Sequence, residues 1–370
     1  SITSISGEFK SGLGTNGGLH SDNPYGYGGS GTGGGSGNSY GSVSDTLYSY
    51  VSVNNESQGN AASSVYGTNL QSGLHGRDMT FGTGTRYWDS NGANWGTPNT
   101  YVSVNSPARN NIILADTSLT VNSSIFEVNP NEIFMAHRSA IKVTGGNLEI
   151  SNPYVHNITY VNLPNGTVDP NKPHDRNSTS FSISANDSNG ILVTGAGSNV
   201  STSIRTSFNV GGLRSNGINM QTGSGKATVE DTSFSVAGSG NGILINSGTM
   251  TNRVTRSTFN VTSGNGININ NGGVTDVNGL SSFTVGNGNG IYAAAGTKLD
   301  NVNATFNITG TNSNGILKNT NENTIVTGST FTVGGTGSTG ITYNGGSTAE
   351  VITGSTFNVN GGSSTGILMA

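Results

Sequence analysis

STFNVTSGNGININ, residues 257–270, is written again and again along this chain. TSFSVAGSGNGILI occupies 232–245, STFTVGGTGSTGITY 329–343 and STFNVNGGSSTGILM 355–369. The anchor phenylalanines are Phe181, Phe208, Phe234, Phe259, Phe283, Phe306, Phe331 and Phe357, separated by 23 to 27 residues. Two positions after each comes a β-branched residue, from Ile183 and Val210 to Val333 and Val359. The isoleucine of a Gly-Ile pair falls at Ile191, Ile218, Ile243, Ile267, Ile291, Ile316, Ile341 and Ile367. A third apolar position precedes the next Phe: Ile204, Val229, Val254, Val277, Val302, Val326 and Ile352.

Alternation with period two over runs this short predicts strands, and the Gly, Asn and Ser clusters between them supply turn chemistry. Each unit therefore holds three short strands. About 25 residues in three strands is one coil of a parallel β-helix. A propeller blade needs a longer unit and a leucine-rich repeat a Leu signature. One coil buries a Phe and a few aliphatics, too little to offset the ordering of its backbone. Stacking is obligatory, with strands about 4.8 Å apart and the apolar columns merged into one core. A one-residue slip inside a strand would turn Phe outward, so the length variation belongs in the turns. The fold class is all-β, a single-chain parallel β-helix of about 25 residues per coil with an irregular N-terminal region.

Columns of like residues follow from stacking. Asn189, Asn216, Asn241, Asn265, Asn289 and Asn314 precede the Gly-Ile pair, and Thr339 and Thr365 end the series. Stacked amides hydrogen-bond along an axis, so these read as a structural ladder, with Asn-Gly supplying φ > 0 for a tight corner. The hydroxyls just before Phe (Ser180, Ser207, Ser233, Thr258, Ser282, Thr305, Thr330 and Thr356) read as a second ladder. Arg205, Asp231 and Arg256 lie three residues before Phe on consecutive coils and are expected to alternate as ion pairs.

The solenoid is expected over 111–370. SAIKVTGGNLEIS (139–151) and IILADTSLTVNSSIFEV (112–128) share the alternation. Residues 157–179, rich in Pro, Asn and Asp, read as a loop insertion, a place where solenoids carry binding. YVSVNN (50–55) and YVSVNS (101–106) are 51 residues apart, the spacing of two coils, and are expected to stack. Residues 1–110 combine low-complexity Gly/Ser tracts with both tryptophans, and read as a cap or loop-rich start that covers the first strand edge.

Charged residues make up 9% of the chain, against about a quarter in an average domain. Net charge is −4, which leaves no electrostatic footprint for nucleic acid. Without Cys there is neither a disulfide nor a thiolate centre. His20, His75, His137, His156 and His174 are scattered singly, so no metal and no cofactor is expected. No GxxxxGK[ST] loop is present. Glycan cleavage needs two carboxylates at set separation. Glu230 with Asp231, or Asp276 with Asp300, could be adjacent, but Arg253, Arg256 and Lys298 share their strand, which suggests a salt-linked face. The expectation is a protein that is not an enzyme.

Two binding candidates remain. Arg86, Tyr87, Trp88, Asp89 and Trp95 fall within ten residues; aromatic faces with flanking polar groups stack on sugars or anchor proteins, or the tryptophans plug the end of the core. The residue after each Gly-Ile isoleucine is predicted to face solvent. That puts Leu192, Leu244, Tyr292, Leu317 and Leu368, interrupted by Asn219, Asn268 and Thr342, in an association stripe along the rod.

Coils of the form [ST][ST]Fx[VI]…[NST]GIx[VILM], poor in charge and free of Cys, resemble the passenger domains of Gram-negative autotransporters, the AIDA-like and self-associating adhesins, over about 110–370. That resemblance implies a right-handed β-helix displayed extracellularly at the bacterial cell surface, tethered to an outer-membrane barrel outside this segment. Its implied partner is host glycan, extracellular-matrix protein or another copy of itself. The GDSGS motif of the protease passengers is missing, so proteolysis is not implied. The alternatives are a polysaccharide-cleaving, tailspike-like β-helix and an inert structural spacer.

Overall fold

The computed structural model describes residues 139–152, 178–221, 225–246, 252–345 and 350–370 throughout. It also gives the backbone of the strands Ile2–Ser11, Ser49–Val53, Asp78–Thr83, Thr100–Asn105, Asn110–Ala115, Thr117–Val121 and Ile125–Val128. The described residues contain strands and no helix. They wind into a parallel β-solenoid of about 25 residues per coil.

Asn216–Met220, Lys226–Glu230 and Thr232–Val236 make one coil. Each strand pairs in parallel with its equivalents on the neighbouring coils, so three sheets form the wall. In the Gly-Ile sheet Ile191 faces Ile218, which faces Ile243. In the Phe sheet Phe181, Phe208 and Phe234 are successive register partners. Burial follows the pleat: Thr232–Val236 alternates buried and exposed, with Phe234 and Val236 inside.

The eight phenylalanines stack face to face through the core, with ring centroids 4.5 to 4.9 Å apart and planes within 8°. The backbone repeat dictates this spacing, because identical side chains in register have no other place to go. Where the corner Asn comes six positions after Phe (Phe259 to Asn265, Phe283 to Asn289), the ladder runs around the corner. Continuous strands result at Thr258–Asn271 and Gly273–Ala293. Those tight corners turn at a positive-φ glycine, Gly264 or Gly288, whereas longer coils put a non-glycine residue in the left-handed region, as at Asp187, Arg214 and Asn312.

Several sequence expectations need correction. Ile204 is 51% exposed. Its column is filled by Thr202, the register partner of Val229, because the strand ends there and a left-handed Arg205 follows. The glycines of the Gly-Ile pairs are not left-handed; what excludes a side chain is crowding. A Cβ on Gly266 would lie 2.6 Å from the carbonyl oxygen of Gly290 and 3.0 Å from the Phe283 ring. The hydroxyl ladder sits one place earlier than predicted. The residues just before Phe face outward, whereas the buried row is Thr179, Thr206, Thr232, Ser257, Ser281 and Ser329. There the Ser257 amide donates to Ser281 Oγ at 3.1 Å and the Thr232 amide to Ser257 Oγ at 3.2 Å. The alternation of Arg205, Asp231 and Arg256 is half realised. Arg256 grips Asp231 with two hydrogen bonds of 2.9 and 3.0 Å, while Arg205 donates to the carbonyl of Asn152.

Toward the N-terminus, Asn110–Ala115, Thr117–Val121 and Ile125–Val128 pair in parallel with the coil above. Ile2–Ser11 adds a further parallel layer, with Phe9 opposite Phe126. Ser49–Val53 and Thr100–Asn105 do not stack on each other. The first pairs antiparallel with Ile2–Ser11 and the second antiparallel with Asp78–Thr83. Thr179 opens a strand, so the predicted insertion ends one residue short of 179; residues 153–177 lie outside the described part.

Candidate binding faces

A solenoid of three sheets offers three outward faces, and the pleat assigns the side chains. On the Phe sheet, the residues before and after Phe point out. The first row is the Ser/Thr series from Ser180 to Thr356. The second is Ser182, Asn209, Ser235, Asn260, Thr284, Asn307, Thr332 and Asn358. No residue of either row is buried, and none carries a formal charge. A trough of about 320 Å³ runs between the rows, from Ser207 and Asn209 to Ser282 and Thr284.

On the Gly-Ile sheet, the corner Asn column hydrogen-bonds along the axis. Asn216, Asn241, Asn265, Asn289 and Asn314 each donate Nδ2 to the Asn Oδ1 one coil earlier, at 2.7 to 3.0 Å. From Asn216 to Asn289 each amide gives one bond to the ladder and receives one from it, which satisfies the partly buried corner. Beside the ladder runs the row Leu192, Asn219, Leu244, Asn268, Tyr292, Leu317, Thr342 and Leu368, in unbroken register. The leucines and Tyr292 are half-buried except Leu368, which is 42% exposed on the last coil. Asn219 donates to Asn189 Oδ1 at 2.9 Å and Thr342 to Asn314 Oδ1 at 2.7 Å, so these two polar members fold back onto the ladder. Tyr292 accepts from Asn319 Nδ2 at 3.1 Å. A groove of about 350 Å³ lies here, between Leu192 and Leu244 over the amide floor. The bidentate Arg214–Asp187 pair, 2.6 and 2.7 Å, stands at its rim.

The third sheet and the turn that follows it carry further ion pairs. Asp276 takes Arg253 at 3.4 Å and Asn301 Nδ2 at 3.2 Å. Glu230 and Asp231 both lie against Arg256. Lys298 approaches Glu322 at 3.9 Å. Among the described residues no His, Asp or Glu cluster could hold a metal ion.

One charged residue sits where sequence reading did not place it. Lys318 occupies the inward column of the Gly-Ile sheet, between Ala293 and Tyr343, and is fully buried. Its Nζ donates to the carbonyl of Glu322 at 2.7 Å and to the Glu350 carboxylate, and lies 5.2 Å from the Tyr343 ring centre. Glu350 also accepts the Thr324 amide at 2.7 Å. Burial lowers the Lys318 pKa, against the opposing pull of Glu350, and burial raises that of the Tyr343 phenol. The signal was legible: in NGILK the Lys takes the place of Val193, Ile245 and Ile269. The arrangement fastens the segment at Glu350 to the coil below.

Arg86, Tyr87, Trp88, Asp89 and Trp95 lie outside the described residues. No family model, curated protein or solved structure matches the chain.

Proposed function

We propose that this solenoid is an adhesin displayed at a bacterial cell surface, binding through an elongated face rather than at a point. The supporting observation is the row from Leu192 to Leu368. It is in continuous register and uncharged, and its apolar members, on five of the eight coils, stay partly open to solvent. Apolar sites recurring along one axis suit polyvalent attachment, in which many weak contacts sum to high avidity. The partner is host glycan, matrix protein or a second copy of the chain, and the anchor is an outer-membrane barrel outside this segment. Cleavage has less support, because Glu230, Asp231 and Asp276 are each held by an arginine.

The test displays the chain on cells and scores aggregation and attachment to glycan and matrix arrays. Leu192→Asp with Leu244→Asp puts charge on the row without touching the core. Loss of attachment in this variant, with the β circular dichroism unchanged, supports the reading. Absence of any attachment by the parent chain rejects it.

A further inference from the structure

The outer face of the Phe sheet differs from the hydrogen-bonded columns at the corner and inside the wall. At the corner and in the buried row two before Phe, Asn, Ser and Thr are bound into ladders, as at Asn216 to Asn189 (3.0 Å) and Ser257 to Ser281 (3.1 Å). On this face the fold uses none of them: the side-chain bonds run through the row two before Phe. The donors and acceptors of the outer rows are left to solvent, on both sides of an open trough.

The row after Phe also has a period of its own. Asn209, Asn260, Asn307 and Asn358 alternate strictly with Ser or Thr at Ser182, Ser235, Thr284 and Thr332. An amide therefore recurs every second coil, about 9.5 Å along the axis at the spacing of parallel strands. Stacking does not require this, since the corner column stacks Asn on Asn through six successive coils. A doubled period on a smooth rod fits a ligand whose own repeat spans two coils.

We infer that this face binds an extended, uncharged β-1,4-linked glycan lying along the solenoid axis. One amide per disaccharide would engage the chain, and the hydroxyl rows would flank it in the trough. The two-fold twist of such a glycan presents the same edge at every second sugar, with a disaccharide repeat comparable to two coils. An α-1,4 chain coils and cannot keep that register. A sulfated or sialylated polymer finds no cation among these rows. The amide supplies both a donor and an acceptor to sugar hydroxyls, which a lone Ser or Thr on the alternate coils complements. This inference rests on the adhesin reading and names its ligand class.

The test is titration calorimetry of the purified full chain with cellohexaose and chitohexaose, against maltohexaose and heparin. Binding of a β-1,4 oligomer but not maltohexaose, little altered by salt, is expected. Asn260→Thr with Asn307→Thr places residues already present in this row at Thr284 and Thr332, so the fold accommodates them. The pair is expected to weaken binding roughly tenfold or more, two hydrogen bonds being lost. Thr258→Glu, also exposed, should weaken it as well. Equal binding of maltohexaose, binding of heparin alone, or affinity unchanged in the double variant overturns the inference. So does a change confined to self-association, read by sedimentation. If no oligomer binds while displayed cells still aggregate, the glycan assignment falls and the adhesin reading stands.

Discussion

Asn260 and Asn265 stand five residues apart in one coil, and the fold treats them as opposites. Asn265 sits at the corner, donates to Asn241 at 2.9 Å and accepts from Asn289 at 2.8 Å. Asn260 points out from the middle of the Phe sheet into solvent. The same side chain is a structural rivet in one place and a free surface group in the other. What separates them is position relative to the pleat and the corner, not chemistry. A row of repeated polar residues on a solenoid therefore says nothing about role until each member is assigned to the wall, the corner or the face.

That contrast can be broken, beginning with the core behind both residues. Phe259→Ala removes one ring from a continuous stack and should cost about 3–5 kcal/mol in urea unfolding followed by circular dichroism. Lys318→Ala should cost a similar amount, about 3–5 kcal/mol, because it leaves Glu350 without its cation. Lys318→Met, which restores the apolar column, should cost much less. The buried amine titrates below the ordinary lysine value. Across the alkaline window between the folded and unfolded values the unfolded chain binds the extra proton, so this residue makes stability rise with pH. Lys318→Met should abolish that slope; a slope that survives would assign it to another group.

Smaller effects bear on the polar rows themselves. Asn265→Ala orphans a donor above and an acceptor below, and should cost about 1–3 kcal/mol. Leu280 is 63% exposed and left-handed at φ 58°, a conformation that penalises any Cβ. Leu280→Gly should raise stability by about 1 kcal/mol, visible as a higher melting temperature. Asn260→Ala should shift stability by no more than about 0.5 kcal/mol. Equal losses at Asn260 and Asn265 would erase the distinction between wall and face.

Much of the architecture was legible. Phe, its β-branched follower and Gly-Ile repeat at nearly constant spacing, and only a stacked coil buries all three. The turn chemistry was less so. Left-handed corners fall on Arg205, Asp231, Arg256 and Leu280 rather than on the Asn-Gly pairs that precede Ile, because they depend on where each strand stops pairing. The hydroxyl ladder was misplaced by one residue for the same reason, since period-two alternation fails at a corner. Lys318 went unnoticed because a charged residue ordinarily marks the outside, and only its register between Ala293 and Tyr343 reveals that it points in.

The amino-acid sequence by itself determined the repeat, its strand content and its core columns, since apolar side chains at a coil's spacing leave the backbone one way to bury them. Which polar side chains satisfy each other and which are left free was decided by tertiary structure. Hydrogen bonding between residues about 25 apart depends on register and on the turn of each corner, and neither is carried by composition or spacing.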